Sequence, residues 1–459
     1  MIWAKLFAKL FDEAAFAPAV LPDHAAVIPV RALTGLALIA ILGAAACSVI
    51  DLRDAHSAAQ PAPAGFDASL VARGAQLAAI GDCGFCHTAQ GGRPFAGGRG
   101  VDSPFGTLYS TNITPDAETG IGRWSLADFT QAMREGVDPG GRHLYPAFPY
   151  DHFTLVTDDD IQAIYAYVMT RDPVRAESPD NDLVFPLSLR ASAAAWKLMF
   201  FKREVFSPDP AQSEQWNRGF YLVQGLGHCG ACHTPRNVLG AEKKDESFSG
   251  GDAEGWHAPA LNQNSPAPFP WTVDRLVQYL RTGVDDVHEA AAGPMAPVVH
   301  DLSQVAENDV RAIAVYVASL DNRPLQEREK KGEEFAARSV TRGAPAASET
   351  SRGATIYTGA CATCHVGRRQ HGALELSLST SLALPKPNNL LHIIQEGITP
   401  RDGERGPWMP SFAGALTDAQ LAELADYLRT GFAGQPAWKD VPGELKKSES
   451  RKSKQTGGT

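Results

Sequence analysis

The sequence lacks the features of several protein classes. Lys and Arg number 42 against 52 Asp and Glu, and the formal net charge is -10. A nucleic-acid surface is therefore not indicated, because such surfaces are basic. The chain has no glycine-rich dinucleotide fingerprint, and no Ser, His and Asp arrangement stands out. We therefore predict no catalytic residues in this chain.

Cysteine is also scarce, and its distribution is informative. Six of the 7 cysteines fall in three copies of Cys-x-x-Cys-His, and only Cys47 is left over, so a disulfide framework is not indicated. This motif is the attachment pattern of c-type haem: each thiol binds one haem vinyl group, and the His gives an imidazole nitrogen to the iron. The sequence predicts three covalently bound haem c groups. The predicted attachment residues are Cys83, Cys86, Cys229, Cys232, Cys361 and Cys364, and the predicted iron ligands are His87, His233 and His365.

Zinc sites and thioredoxin-like redox pairs also use paired cysteines. A zinc site needs ligand pairs brought together, and a redox pair needs neither a trailing His nor repetition. The three copies therefore favour haem. Because covalent haem attachment occurs in an oxidising, extracytoplasmic compartment, we expect the bulk of the chain to lie outside the cytoplasm.

One long apolar run stands near the N-terminus. Residues 32–50, ALTGLALIAILGAAACSVI, carry no charge, and their 19 residues are close to the roughly 20 that span a bilayer. We predict an uncleaved transmembrane anchor, and inner-membrane localisation with the haem domains on the periplasmic side. A cleaved signal peptide and a lipoprotein signal at Cys47 remain alternatives.

The rest of the chain repeats one plan three times. Each motif follows a short helical pattern, at 70–78, 216–223 and 353–357, and precedes an acidic–apolar helical pattern, at 158–170, 307–320 and 418–428. We predict an all-α fold of three tandem cytochrome c domains behind an N-terminal transmembrane helix. The predicted segments are an N-terminal segment (1–31), the anchor or signal (32–50), a linker (51–65), domain 1 (66–172), a linker (173–212), domain 2 (213–322), a linker (323–349), domain 3 (350–435) and a disordered tail (436–459). We call residues 66–172, 213–322 and 350–435 modules one, two and three.

Methionine is rare, with 6 residues in the chain. A haem that only transfers electrons is best served by a second protein ligand, and Met opposite His raises its reduction potential. Met295, in Gly-Pro-Met, and Met409, in Pro-Trp-Met-Pro, lie in matching loops ahead of the last helix of their modules. We predict both as iron ligands, with core packing as the alternative role.

Module one departs from this pattern because Phe148 falls where Met is expected. Met133 aligns with Leu280 at a core position of a helix. His143 and His152 flank the loop, and two surface histidines are the simpler explanation. We hypothesise that haem 1 is either bound by His152 as its second ligand or five-coordinate. An open position on haem 1 would allow the alternative function of a self-sufficient haem enzyme.

Several long stretches resemble the tri-haem cytochrome c subunits of bacterial membrane-bound dehydrogenases, over roughly residues 66–435. They are SPFGTLYSTNITPDAETGIGRW, HLYPAFPYDHF, WNRGFYLVQGLGHCGACHTPRN, GGDAEGWHAPALN and GPMAPVV. The resemblance implies cytochrome c folds with His and Met on the iron, which supports Met295 and Met409. Phe148 departs from the alcohol dehydrogenase pattern and is more similar to the molybdenum-hydroxylase branch, which includes nicotinate dehydrogenase.

The resemblance also implies a function and its partners. The chain would take electrons from a catalytic dehydrogenase subunit, pass them through its haems, and deliver them to membrane quinone or a terminal oxidase. The catalytic partner would be a quinoprotein, a flavoprotein or a molybdenum hydroxylase, the last with molybdopterin and iron–sulfur subunits. No nucleic-acid partner is expected.

Overall fold

The computed structural model of the protein describes residues 65–342, 351–365, 374–400 and 406–456. Module one begins and ends with helices whose first turns are capped by Asp67 and Thr157 side chains, as expected for carboxylate and hydroxyl N-caps. A capping box formed by Ser125 and Asp128 starts its middle helix. Its elements are α1 (Ala68–Ile80), α2 (Cys83–Cys86), β1 (Gly100–Ser103), β2 (Gly106–Tyr109), α3 (Leu126–Glu135), α4 (Tyr150–Phe153) and α5 (Asp158–Met169).

Module two follows the same order after a connection that has its own secondary structure. Ser213 caps its first helix, which continues into a π-helical segment directly before the haem motif. The elements from this connection onward are β3 (Asp182–Leu183), α6 (Ala191–Phe200), α7 (Glu214–Phe220), the π-helix Tyr221–Leu226, α8 (Gly230–His233), a 3-10 turn (Lys244–Glu246), β4 (Gly251–Ala253), β5 (Trp256–Ala258), α9 (Val273–Thr282), α10 (Met295–Ser303) and α11 (Glu307–Ser319).

Module three has the same helical frame. Thr417 and Gln420 form a capping box at its last helix. The elements are α12 (Leu325–Arg342), which precedes the module, α13 (Arg352–Ile356), the π-helix Tyr357–Cys361, α14 (Ala362–His365), a 3-10 turn (Leu376–Leu378), α15 (Thr380–Ala383), α16 (Asn388–Glu396), α17 (Asp418–Gly431) and α18 (Val441–Thr456).

One helix crossing occurs in all three modules. In module one, a Cβ on Gly74 of α1 would overlap the main-chain oxygen of Ala163 in α5. In module two, a Cβ on Gly219 would likewise overlap the main-chain oxygen of Ala312. The glycine lets the two backbones approach more closely than any side chain would allow. The third crossing pairs Gly353 with Glu423.

The buried side chains of the described residues form two hydrophobic cores. The first is continuous from module one into module two, and its fully buried members include Ile161, Leu222 and Val310. The second belongs to module three, where Leu382 and Leu424 are fully buried. Apolar burial at this density is the main stabilising contribution in each core.

The predicted all-α class is wrong because the described residues contain two small antiparallel sheets. In the first, β1 pairs with β2 (Gly100 opposite Tyr109) and β2 pairs with β3. In the second, β4 pairs with β5. Each sheet contains a short hairpin beside a haem motif in a mainly helical chain. The strands have two to four residues, which is too short for a clear alternating pattern in the sequence.

No helix among the described residues is both long and apolar enough to cross a membrane. The predicted span at 32–50 lies outside the described residues. For the part of the chain that the structure describes, the transmembrane helix in the predicted fold class and the inner-membrane localisation based on it are wrong.

Three segments that the sequence predicts as linkers or disordered tail contain helices in the described residues, and the first is the linker at 173–212, which holds α6. Residues 325–342 form α12 within the predicted linker at 323–349. The predicted tail forms α18, and Trp438, Val441 and Leu445 are buried in the second core. The Lys- and Ser-rich composition concealed these three apolar residues, which are enough to dock the segment on α17.

Candidate haem-binding sites

The three motif histidines are held in the same way. The Nδ1 atom of His87 lies 2.7 Å from the main-chain oxygen of Thr111, and that of His233 lies 2.7 Å from the oxygen of Pro259. For His365 the partner is the oxygen of Leu374, at 3.2 Å. A carbonyl oxygen only accepts, so Nδ1 carries the proton and donates it. The lone pair of Nε2 then remains for a metal, which is the usual arrangement of a ligating His.

The surroundings keep these imidazoles neutral. Burial lowers the pKa of His87, His233 and His365, although the carbonyl partner of each acts in the opposite direction. A neutral imidazole is the form that binds a metal. All three histidines therefore have the tautomer and the charge that haem iron requires.

A single helical turn presents each pair of thiols. The main-chain N–H of His87 donates to the oxygen of Cys83 at 3.0 Å, and His233 donates to Cys229 at the same distance. Residues three apart in such a turn lie on one face, so both sulfurs can meet one edge of a porphyrin. None of the six motif cysteines is in a disulfide among the described residues, and Cys86 and Cys364 are exposed.

Module three contains an apolar cavity at its motif. Cys361 and His365 line one part of it, and Met409 lines another. The remaining lining is mainly aliphatic and aromatic, including Leu382, Leu390 and Phe412. The structure thus brings the predicted thiol, imidazole and thioether to one cavity whose chemistry fits a flat apolar macrocycle. The residues present fit haem c.

A carboxyl group from module two reaches the same cavity. Glu289 is part of its lining and accepts hydrogen bonds from the main-chain N–H of Ser381 at 3.1 Å and from its hydroxyl at 2.6 Å. Burial raises the pKa of Glu289 to about 7, although both bonds from Ser381 lower it. Module two therefore completes the wall of the module three cavity.

Met295 begins α10 in module two and is half-buried against the shared core. It follows Gly293, whose φ of 54° lies in the left-handed region, and a Cβ on Gly293 would overlap the indole of Trp256. Close packing at this glycine fixes where the loop turns into α10. Ligation by Met295 stays a prediction.

His152 does not stand free near the first motif. Its Nδ1 lies 2.7 Å from the main-chain oxygen of Gln224, and its Nε2 lies 2.8 Å from Oε1 of Glu242. Only 7% of the residue is exposed. Both ring nitrogens are therefore occupied by module two, and His152 packs against Gly230, between the cysteines of the second motif.

The charges in this junction are mutually stabilising. Burial lowers the pKa of His152, but the hydrogen bond and charge of Glu242 outweigh it and raise the pKa above its usual value. Burial raises the pKa of Glu242, yet His152 and Arg236 together lower it. The two shifts agree that the pair carries opposite charges.

Sequence reasoning did not identify the carbonyl partners of the motif histidines or the partner of His152. Thr111 lies 24 residues from His87, and Pro259 lies 26 residues from His233. Glu242 lies 90 residues from His152. No spacing rule connects residues so far apart, since the contacts exist only after the hairpins and helices pack.

The chain is similar to several characterised proteins. A family model described as "Cytochrome c" matches residues 71–172, and one described as "Cytochrome C oxidase, cbb3-type, subunit III" matches residues 348–428. The chain is 47% identical over 388 residues to a nicotinate dehydrogenase subunit of Pseudomonas putida, an alignment that covers 83% of this chain and 32% of that protein. The chain therefore spans about a third of that relative's length.

Two further relatives are matched over most of their length. The gluconate 2-dehydrogenase cytochrome c subunit of Pantoea cypripedii is 38% identical over 383 residues, which are 79% of this chain and 85% of the relative. The fructose dehydrogenase cytochrome subunit of Gluconobacter japonicus is 36% identical over 402 residues, 82% of each chain. The repeated motifs, the histidine geometry and these matches agree, and the chain belongs to the family of dehydrogenase cytochrome c subunits.

Proposed function

We propose that the chain is a tri-haem electron-transfer subunit with no catalytic site of its own. The observation that carries the proposal is that the same histidine geometry, suited to binding a metal, occurs at all three motifs. Each Cys-x-x-Cys-His motif ends in a His whose Nδ1 is bonded to a main-chain carbonyl, which leaves Nε2 for iron. Two family models and the cytochrome subunits named above support haem c in this chain.

In this proposal the chain's residues bind and tune the cofactor. Paired thiols of each motif hold one haem c, and His87, His233 and His365 ligate the iron. Met295 and Met409 are the proposed second ligands in modules two and three. Haem c bound in this way supplies one-electron exchange between two oxidation states of iron. The protein provides attachment, fixed orientation and an apolar surrounding that excludes water.

The proposed partner is a catalytic dehydrogenase, because the relatives are named as subunits of gluconate, fructose and nicotinate dehydrogenases. The identity of 47% to the nicotinate dehydrogenase protein favours a molybdenum-hydroxylase partner over a quinoprotein or flavoprotein. Electrons would leave the chain to membrane quinone or a terminal oxidase.

The test is to isolate the chain with its partner and observe haem reduction. An affinity-tagged chain should co-purify with a catalytic subunit, and the substrate of that subunit should reduce the haems on mixing, as followed by visible absorption. A double variant, Cys361→Ser with Cys364→Ser, is the matched control and should lose one third of the reducible haem. Haem that is fully present but is never reduced by any co-purifying dehydrogenase would contradict the proposal.

A further inference from the structure

Modules one and two have the same backbone geometry in one loop. In module one Gly136 directly follows the helix α3, and in module two Gly283 directly follows the helix α9. Both glycines have left-handed φ values, 59° and 74°, and each N–H caps the preceding helix. The two loops therefore leave their helices in the same direction.

The loops then return to these glycines with the same register. The N–H of Leu144 donates to the oxygen of Gly136 at 2.9 Å, and the N–H of Ala291 donates to the oxygen of Gly283 at 2.7 Å. In each loop an isolated antiparallel β-bridge lies directly next to this hydrogen bond. The residue four positions after Leu144 is thus the structural counterpart of the residue four positions after Ala291.

Those two residues are Phe148 and Met295, and the turns that hold them also match. The N–H of Phe148 donates to the oxygen of Tyr145 at 3.0 Å, and the N–H of Met295 donates to the oxygen of Ala292 at 3.3 Å. Phe148 therefore holds the position that the proposed thioether ligand holds in module two. A phenyl ring has no lone pair to give to iron.

The two histidines that flank this loop in the sequence have other partners. Both ring nitrogens of His152 are hydrogen-bonded, one to the main-chain oxygen of Gln224 and the other to the carboxylate of Glu242. His143 has its Nδ1 3.2 Å from Nζ of Lys197 in α6. Its counterpart at the hairpin bridge of module two is Ala290, which lines the module three cavity.

Two further side chains are accounted for by packing. Met133 is 5% exposed within the shared core, on α3. Tyr150 is fully buried against Trp196 and Phe201, and burial raises the pKa of its phenol well above the usual value. A protonated phenol is a poor ligand, because tyrosine binds haem iron as the phenolate.

We propose that haem 1 is five-coordinate, with His87 as its only ligand from the described residues, and that its other face binds a small uncharged diatomic molecule such as carbon monoxide or nitric oxide. The inference rests on the proposed function, because it requires haem at Cys83 and Cys86. Phe148 packs edge to face on Phe153, with ring centres 5.3 Å apart, so the residue beside the open position is apolar. An apolar side chain at this position favours an uncharged ligand over an anion.

Reciprocal substitutions test the inference in the full-length haem-loaded protein. Haem content is measured first, by absorption of the denatured protein, so that loss of haem is distinguished from loss of an open position. Carbon monoxide is then added to the reduced protein, and bound gas is counted from the difference spectrum. We expect about one carbon monoxide per protein in the wild type, none in Phe148→Met, and about two in Met295→Phe, from the replacement of one axial ligand in each case.

A spin-state measurement and a control variant complete the test. The oxidised wild type should show one high-spin ferric haem by electron paramagnetic resonance, and Phe148→Met should convert it to low spin. His152→Gln should leave gas binding unchanged. A wild type with full haem content that binds no carbon monoxide would overturn the inference, as would gas binding that appears only in His152→Gln.

Discussion

Modules one and two share one hydrophobic core, whereas module three has a core of its own. The shared core includes Leu77 in α1 and Val317 in α11, at opposite ends of the two modules. The second core is closed instead by α18, a helix that follows module three in the sequence. One repeated plan has therefore been packed in two ways.

The contacts at the two module boundaries differ in kind. Between modules one and two, apolar packing is joined by the buried His152–Glu242 pair and by Tyr221, whose hydroxyl donates to Asp160 at 2.7 Å. Between modules two and three, polar contacts are prominent, such as the two hydrogen bonds of Asn389 with the main chain of His257. We infer that modules one and two unfold together, and that module three can unfold without them.

The largest expected effect comes from the helix crossings. Gly219→Val should lower the free energy of unfolding of modules one and two together by about 3 kcal/mol, because the new side chain would overlap the oxygen of Ala312. Gly353→Val should do the same to module three alone. Denaturant unfolding followed by circular dichroism of the haem bands would resolve the two transitions.

A control for these variants is Gly359→Ala, since no atom lies within 4 Å of a Cβ placed on Gly359. It should change the unfolding free energy by less than about 1 kcal/mol. If Gly353→Val destabilised all three modules equally, this result would contradict the inference that the two cores unfold separately.

The next effect concerns the junction of modules one and two. Glu242→Gln should destabilise these modules by about 2 kcal/mol, because it weakens a charge-assisted hydrogen bond to His152 in a site where only 13% of the Glu242 side chain is exposed. Module three should keep its own transition. If Glu242→Gln lowered the free energy of unfolding equally in both transitions, the junction would stabilise module three as well, contrary to this prediction.

The same pair predicts a pH window. His152 has a pKa raised from 6.5, so its contribution is fully present below pH 6.5 and is lost as the pH rises through its raised value. Glu242 has a pKa lowered from 4.5, so its contribution is present above pH 4.5 and is lost as the pH falls through its lowered value. The destabilisation by Glu242→Gln should therefore be largest between about pH 4.5 and 6.5. A difference that does not change from about pH 5 to about pH 9 would contradict the charged pair.

A smaller effect is expected at the boundary of modules two and three. Asn389 accepts from the N–H of His257 at 2.8 Å and donates to its oxygen at 2.9 Å. Asn389→Ala should weaken this boundary by about 1.4 kcal/mol, because two hydrogen bonds are lost. The exchange of the His257 amide proton should accelerate about tenfold, and the module three transition should move to a lower denaturant concentration while that of modules one and two keeps its midpoint.

The smallest effect is expected from an exposed ion pair across the first boundary. Arg99 donates to Glu254 at 2.7 Å, and their side chains are 21% and 34% exposed. Arg99→Ala should cost about 0.5 kcal/mol or less at low salt, and nothing measurable in about 1 M salt, because solvent screens such pairs. A loss comparable with that of Glu242→Gln would mean that this pair, and not the core, joins the modules.

The sequence predicted the helical frame well. The last helices were expected at 158–170 and 307–320, and the structure confirms them as α5 and α11. Their apolar spacing and acidic first turns depend only on residues close in sequence, so they can be recognised without knowledge of the tertiary contacts. The cysteine motifs are equally local.

What the sequence did not predict depends on contacts between distant residues. His152 looked like a candidate for iron because it flanks a loop, but its partners come from 72 and 90 residues away. The helix α18 looked like a disordered tail, because three apolar residues among many Lys and Ser gave a weak pattern until the core of module three was present.

Mass spectrometry of the proteolysed, denatured protein tests the central claim most directly. The account predicts three haem-bearing peptides, one with Cys83 and Cys86, one with Cys229 and Cys232, and one with Cys361 and Cys364. Recovery of any of these peptides without haem, from protein whose other motifs are loaded, would contradict the claim that the three motifs form one electron-transfer chain.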